Sequence, residues 1–222
     1  NISSGLGSAK LALQYLLTKD GPAAGNCIET VSHWNPDDLT ADPTIQCYHV
    51  PVISEDGLIP TGKRSGVTLE LVILQPDSRG WVRLADADPT SMPQINPNFI
   101  GDERDLKKAV GAVKAIREVM RQQSLAAVLE EELEPGVETQ SDEAIGQWVR
   151  KVANTMWHPV GTCRMGADSR SVVDARLRVR GVSNLRVIDA SIMPNIVSAN
   201  TNAPTQALAR NGAAMFVEDR RQ

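Results

Sequence analysis

The chain has 222 residues, 41% of them apolar and 23% charged, with 27 acidic and 23 basic side chains and a net charge of −4. This balance is typical of a folded globular protein and excludes a disordered or fibrous chain. An acidic net charge without a basic stripe argues against nucleic acid as a partner. No apolar run reaches the ~20 residues that span a bilayer.

The ends and the cysteines of the chain also limit its class. Cys27, Cys47 and Cys163 are widely spaced and form no CxxC pair, which indicates neither a disulfide framework nor a zinc site. The chain starts at Asn1 rather than Met and carries no signal-peptide pattern. We therefore expect a piece of a longer cytoplasmic protein without a transmembrane segment, with peripheral membrane association left open.

The first third of the chain predicts a helix followed by strands. Residues 8–18 are rich in leucine and end at a Gly-Pro stop, which predicts a short helix. Residues 30–44 are polar and predict a loop. Residues 45–50 and 67–75 have the β-branched and apolar composition of strands.

The next stretch predicts a hairpin, a loop and a helix. The turn at residues 76–80 predicts that residues 81–84 pair back on the preceding strand. Residues 89–101 are rich in Pro and Asn and predict a loop. Residues 105–122 place apolar side chains at helical spacing behind an acidic start, which predicts an amphipathic helix.

The last part of the chain predicts further helices and one strand. Residues 125–133 are expected to extend the preceding helix after a break, and Ser141 is expected to cap a second amphipathic helix. Residues 184–189 predict a short buried strand. Residues 204–217 predict a helix with Pro204 at its first position.

Three histidines are the first candidates for catalysis. His33 in a polar stretch and His49 in a strand are most simply surface or packed imidazoles. His158 follows a helix and opens a constrained, irregular segment with one Pro and two Gly, the kind of loop that carries functional groups. Its imidazole is a candidate acid or base, but sequence spacing does not locate a partner for it.

A second candidate lies at the start of the last helix, in residues 200–205. With Pro204 at the first helical position and Asn202 near the cap, backbone donors and the positive end of the helix dipole are free to face an anionic or electron-accepting ligand. Asn is equally favoured there as a purely structural cap. The sequence leaves both interpretations open.

Several common motifs are absent. Residues 5–10 approach a GxGxxG dinucleotide motif but lack its third Gly and follow no strand. P-loop, HExxH, GxSxG and EF-hand patterns do not occur, and the histidines lack metal-ligand spacing. Hydrolase and metalloenzyme functions therefore lose their usual support, and we expect no metal site.

Three late segments, residues 157–166, 172–194 and 200–205, occur in the order and with the motifs of one family. They resemble the glucose-methanol-choline (GMC) oxidoreductases, and within them the bacterial choline dehydrogenase-like alcohol dehydrogenases. Residues 15–22 and 78–84 extend the resemblance less specifically. The family consists of FAD-dependent enzymes that move a hydride from an alcohol carbon to the flavin.

The resemblance implies roles for particular residues. His158 would be the base that takes the hydroxyl proton, and Asn202 the partner that hydrogen-bonds the substrate oxygen. Glu29 resembles an acidic position near the substrate pocket of choline-type members, although alone it fits an ordinary loop carboxylate. Residues expected to contact FAD are Asp189, Ala190, Pro159, Asn202, Ala203 and Thr205.

The resemblance also implies an α+β fold. Residues 1–165 would form the substrate-binding domain, a mixed, largely antiparallel sheet with helices on one face, and residues 166–222 a strand–helix segment completing the FAD domain. The partners implied are a small alcohol and the missing amino-terminal half with its Gly-rich turn, with an oligomer left open. The alternative is a catalytically silent fragment or interaction module that cannot bind FAD alone.

Overall fold

The computed structural model describes residues 5–26, 28, 30–55, 59–60 and 64–221. The chain divides into two compact units, one of Asn1–Ile73 and Leu106–Asn154, the other of Leu74–Asp105 and Thr155–Gln222. The boundary predicted at residue 165 concerns the domains of the complete protein and stays a prediction. Within the described residues, no helix combines the length and the apolar character that a membrane crossing requires.

The chain begins with helix α1, Gly5–Thr18, which confirms the predicted helix and lengthens it at its start. The Thr18 hydroxyl donates to the Gln14 carbonyl at 2.9 Å. Lys19 and Gly21 then adopt positive φ angles of 57° and 95°, which an α-helix does not allow. The predicted Gly-Pro stop is therefore confirmed, and a single 3₁₀ turn follows it at Pro22–Ala24.

The first unit is built around a three-stranded antiparallel sheet. Its strands and the short pair between them are β1 Thr30–Trp34, β2 Ile45–Val50, β3 Ser54–Glu55, β4 Ile59–Pro60 and β5 Thr68–Ile73. The sheet order is β1-β2-β5, and β3 pairs with β4. In the central strand β2, only His49 is not buried. The strands predicted at 45–50 and 67–75 are confirmed.

The prediction of a loop over residues 30–44 is wrong for its first five residues. Thr30–Trp34 pairs with β2 along its whole length. Backbone N–H and C=O groups need hydrogen-bond partners whatever the polarity of the side chains, and the adjacent strand β2 supplies them here. Cys47 is fully buried in the same sheet. Burial, assisted by the charge of Glu70, raises the pKa of its thiol to about 12, so the thiol stays protonated at neutral pH.

The predicted hairpin between residues 67–75 and 81–84 is wrong. Strand β6, Trp81–Arg83, pairs instead with β7, Gln94–Asn96, within a stretch predicted to be a loop. Gly80 explains the choice of partner, since a Cβ there would lie 2.3 Å from the Asn96 carbonyl oxygen. Only glycine permits this close approach of the turn to the end of β7.

Helix α2, Glu103–Met120, confirms the predicted amphipathic helix. Its first turn holds Asp105, which is fully buried. The Asp105 carboxylate accepts hydrogen bonds from the backbone N–H groups of Asp77 and Ser78 at 2.9 and 2.7 Å and from the Ser78 hydroxyl at 2.5 Å. The turn before β6 is therefore anchored by Asp105, in the first turn of α2.

Replacing Asp105 with Ala is expected to lower the free energy of unfolding by about 2–4 kcal/mol, because three half-buried donors lose a buried, charged acceptor. The midpoint of urea unfolding of the complete protein measures this loss. Glu103→Ala is the matched control: it removes an exposed acid of the same helical turn and is expected to cost no more than ~1 kcal/mol. Equal shifts for the two variants would contradict the anchoring role.

The predicted extension of α2 over residues 125–133 is wrong beyond its beginning. Helix α3 covers only Gln123–Ala126, and the glutamates that follow are used in ion pairs instead. Glu132 accepts from the buried Arg117 guanidinium at 2.6 Å. Helix α4, Asp142–Val152, is capped as predicted: the Ser141 hydroxyl accepts from the Ala144 N–H at 3.1 Å.

The chain closes with irregular structure and one long helix. Residues 184–189 are not the predicted buried strand, since only an isolated bridge at Arg186 forms and Leu185 is half exposed. A 3₁₀ turn follows at Ala190–Ile192. Helix α5 runs over Asn202–Asp219, so the predicted helix is confirmed, but Pro204 is its third residue rather than its first.

One apolar cluster, which we call the motif core, holds this part of the second unit together. At its centre lie Val173, Leu177 and Ile192, and the side chains packed around them come from the segments on either side and from α5: Met165, Val172, Val179, Val187, Ile188, Leu208 and Met215. Gly212 of α5 is buried against it, and a Cβ there would lie 2.4 Å from the Ile188 Cγ2 atom. The helix therefore packs at a distance that only glycine permits.

Candidate active site

The segment that carries His158 begins with a strained residue. Trp157 has a left-handed backbone, with φ of 62°, which is an outlier for a bulky side chain. Its N–H donates to the Thr155 hydroxyl at 2.9 Å. The chain thus bends at Trp157, directly before His158, and the structure confirms the irregular loop predicted there.

Backbone hydrogen bonds fix this loop against the 3₁₀ turn at Ala190–Ile192. The Cys163 N–H donates to the Ser191 carbonyl at 3.0 Å, and the Met165 N–H to the Ile192 carbonyl at 2.8 Å. The turn itself is capped by Asp189, whose carboxylate accepts from the Ser191 N–H at 2.8 Å. Two segments predicted to contact FAD are therefore joined to each other.

Arg164 gives the loop a second anchor. Its guanidinium makes a two-pronged contact with the Asp168 carboxylate, at 2.9 and 2.6 Å. The hydrogen bond from Arg164, supported by the Arg170 N–H, holds the pKa of Asp168 well below its usual range. Sequence reasoning missed this pair, although Arg and Asp four residues apart within a Gly-containing turn are a recognisable signal.

His158 itself contacts the start of α5. Its Nδ1 atom lies 2.8 Å from the Thr201 hydroxyl oxygen. Thr201 is the N-cap of α5 and only 8% exposed. Its carbonyl accepts from both the backbone N–H and the hydroxyl of Thr205, at 3.0 and 2.7 Å. The structure therefore brings the candidate base to the helix N-terminus that the sequence singled out separately.

Asn202, the first residue of α5, is exposed. Its side-chain oxygen accepts from the Gln206 amide at 2.7 Å, one helical turn later. This bond uses the oxygen of the Asn202 amide and leaves its nitrogen available as a donor. The sequence pointed to Asn202 but to neither Thr201 nor Gln206, which bond to His158 and to Asn202, respectively.

The remaining candidates are placed as follows. Pro159 and Ala203 are exposed, and Ala190 and Thr205 are half-buried, all within the second unit. Glu29 lies outside the described residues. His33 and His49 belong to the first unit and bond to the neighbouring strand, His33 to Gln46 and His49 to the hydroxyls of Thr30 and Ser32. His33 is exposed and His49 is half-buried, which fits the expected surface or packed imidazoles. No cluster of metal-ligating side chains occurs within the described ranges.

A histidine loop hydrogen-bonded to a helix N-terminus, with the 3₁₀ turn beside it, is the arrangement in which the three predicted motifs meet. Residues 76–209 match the family model described as GMC oxidoreductase. The chain belongs to the GMC oxidoreductase family. This confirms the family that the motifs resembled.

Two curated relatives illustrate the match. An alcohol dehydrogenase [acceptor] of Pseudomonas putida is 38% identical over 203 residues, which cover 91% of this chain and 37% of that protein. The mitochondrial choline dehydrogenase of Mus musculus is 36% identical over 206 residues, covering 91% of this chain and 34% of that protein. The chain thus spans little more than a third of the length of these relatives.

Solved structures share the fold. Pyridoxine 4-oxidase from Mesorbium loti superposes with a TM-score of 0.75 and 33% identity, over 85% of this chain and 37% of that one. A formate oxidase of Aspergillus oryzae RIB40, studied for modification of its FAD, gives a TM-score of 0.84 at 23% identity, over 98% of this chain and 43% of that one. The α+β fold with small antiparallel sheets is confirmed.

Proposed function

We propose that this chain is the carboxy-terminal part of an FAD-dependent oxidoreductase that oxidises the CH–OH group of a small alcohol in the cytoplasm. The observation that carries the proposal is the 2.8 Å contact between His158 Nδ1 and the Thr201 hydroxyl. It supports a common site for two candidates found 44 residues apart, since Asn202 directly follows Thr201. An imidazole and an amide at one helix start suit proton removal from a hydroxyl group.

The residues at this helix start fit a flavin ring. The first N–H groups of a helix have no partner within the helix, and they lie at the positive end of its dipole. Asn202 and Ala203 expose this end of α5, with Pro159, Asp189, Ala190 and Thr205 proposed as further contacts. When bound, FAD supplies the hydride-accepting chemistry.

Side chains of this chain are proposed to move the proton and to orient the substrate oxygen. In the proposal, the Nε2 atom of His158 accepts the hydroxyl proton, and the Asn202 amide nitrogen donates to the same oxygen. A fixed donor and the resulting imidazolium both stabilise negative charge on that oxygen. Glu29 is proposed to offset the charge of a cationic alcohol.

A second candidate function is an interaction module without activity of its own. The chain matches little more than a third of its curated relatives and carries no complete GxGxxG motif. Helix α1 also exposes Leu16 and Leu17, side chains that a further part of the protein is expected to cover.

Adding FAD to the chain alone and to the complete protein separates these two functions. We expect the chain alone to elute from gel filtration without flavin absorbance, and the complete protein to retain FAD and lose its oxidised spectrum on anaerobic addition of an alcohol. Complete protein that holds FAD but is not reduced by any of a panel of primary alcohols would contradict the oxidoreductase proposal. Stoichiometric FAD on the chain alone would contradict its dependence on a further part.

A further inference from the structure

The hydroxyl of Thr201 has an unusual hydrogen-bond partner for an N-cap residue. Threonine at an N-cap normally accepts, through its hydroxyl, from the N–H of the second or third helical residue. In α5 the Thr201 side chain makes no such bond, and its hydroxyl lies instead 2.8 Å from His158 Nδ1. The Thr201 hydroxyl therefore bonds to the imidazole instead of capping the helix.

Two features of the helix start account for the missing cap bond. Pro204 is the third residue of α5, and proline has no N–H to offer a capping side chain. Thr201 also has a helical backbone, with φ of −80° and ψ of −9°, rather than the extended backbone of a usual N-cap. The carbonyl of Thr201 is still held in the helix by the backbone N–H and the hydroxyl of Thr205. The residue is therefore fixed by its backbone while its hydroxyl is free to serve another group.

We propose that Thr201 is a positioning residue that sets the tautomer of His158, with Nδ1–H donating to the Thr201 hydroxyl oxygen and Nε2 left as the acceptor. This rests on the proposed function, in which Nε2 takes the substrate proton. In the opposite arrangement the hydroxyl donates to Nδ1, Nε2 carries the hydrogen, and the ring has no lone pair for the substrate.

The same arrangement also suits the protonated ring. An imidazolium donates from both nitrogens, so an acceptor is needed at Nδ1 after proton transfer as well as before it. The Thr201 oxygen fills that role in both states without turning. Donors and acceptors that need no reorientation during the reaction are the effective ones.

The tautomer can be observed directly. In complete protein labelled with ¹⁵N-histidine, the His158 signals are assigned by their loss in His158→Gln, at a pH where the ring is neutral. We expect an unprotonated Nε2 in the natural protein and in Thr201→Ser, and a mixture of tautomers in Thr201→Val. A natural protein with Nε2–H would overturn the proposal, and this measurement needs no variant that might misfold.

Rates give a second readout. Thr201→Val is expected to slow flavin reduction by alcohol about tenfold, the equivalent of one neutral hydrogen bond, while Thr201→Ser stays within about twofold. Thr90→Val, which removes an exposed threonine hydroxyl bonded to Asp88, is expected to leave the rate unchanged. Val and Ser variants with equal rates would overturn the positioning role. A fully active His158→Gln would instead contradict the proposed function, and the tautomer measurement would still decide the role of Thr201.

Discussion

Replacing His158 with Ala is expected to slow the reduction of bound FAD by alcohol about 10²–10⁴-fold, the usual contribution of a positioned base. The imidazole is held through Nδ1 by the nearly buried Thr201 hydroxyl, and its removal takes away the proposed proton acceptor. Stopped-flow absorbance under anaerobic conditions measures the reduction rate. Flavin absorbance before mixing shows whether FAD stays bound.

The matched control for this variant is His33→Gln. His33 is exposed, lies in the first unit and bonds to Gln46, so this substitution is expected to leave the reduction rate unchanged. A reduction rate for His158→Ala within threefold of the unsubstituted protein would contradict the role of His158 as the base. Loss of FAD from His158→Ala would show instead that the substitution had disrupted the structure of the loop, so the rate would not report on the imidazole alone.

Replacing Asn202 with Ala is expected to slow the same step about 10²–10³-fold, the typical loss when one donor to a developing oxyanion is removed. Asn202→Asp is the sharper variant: it keeps an oxygen for the Gln206 amide but places a negative charge beside the substrate oxygen. We expect it to be at least as slow as the Ala variant. The measurement is again the rate of anaerobic flavin reduction.

Asn211 provides the comparison for this prediction. It is exposed on the same helix α5, and Asn211→Ala removes an identical side chain away from the helix start. We expect an unchanged reduction rate. If Asn202→Asp were as fast as the unsubstituted protein, the amide donor would have no role in the reaction, and the first turn of α5 would serve only as a structural element.

The helices of this fold could be predicted from the sequence because their signals are local. Helix α2 shows its apolar spacing within 18 residues, and α4 shows its cap directly at Ser141. The strands depended on partners that the sequence does not name. Thr30–Trp34 became a strand because β2 pairs with it along its whole length. Residues 184–189 did not, because they pair with residues 177–179 only through the isolated bridge at Arg186.

The candidate site was predictable as separate pieces but not as an assembly. His158 and Asn202 stood out through their motifs, whereas the contact that joins them belongs to Thr201, 43 residues from His158. Spacing along a chain carries no information about such a contact. One local signal was available: proline three residues after a threonine cap removes one of the two usual capping donors, which favours another partner for the threonine hydroxyl.

The motif core limits movement between the histidine loop, the 3₁₀ turn and α5. Ile192 of the 3₁₀ turn lies at its centre, and Met165 of the histidine loop and Leu208 of α5 pack against the central cluster. At Gly212 the helix lies too close to Ile188 for any larger residue. Close-packed interiors resist small displacements, so the spacing from imidazole to helix is set when the protein folds. Any movement that admits the proposed alcohol is therefore expected in elements outside the motif core.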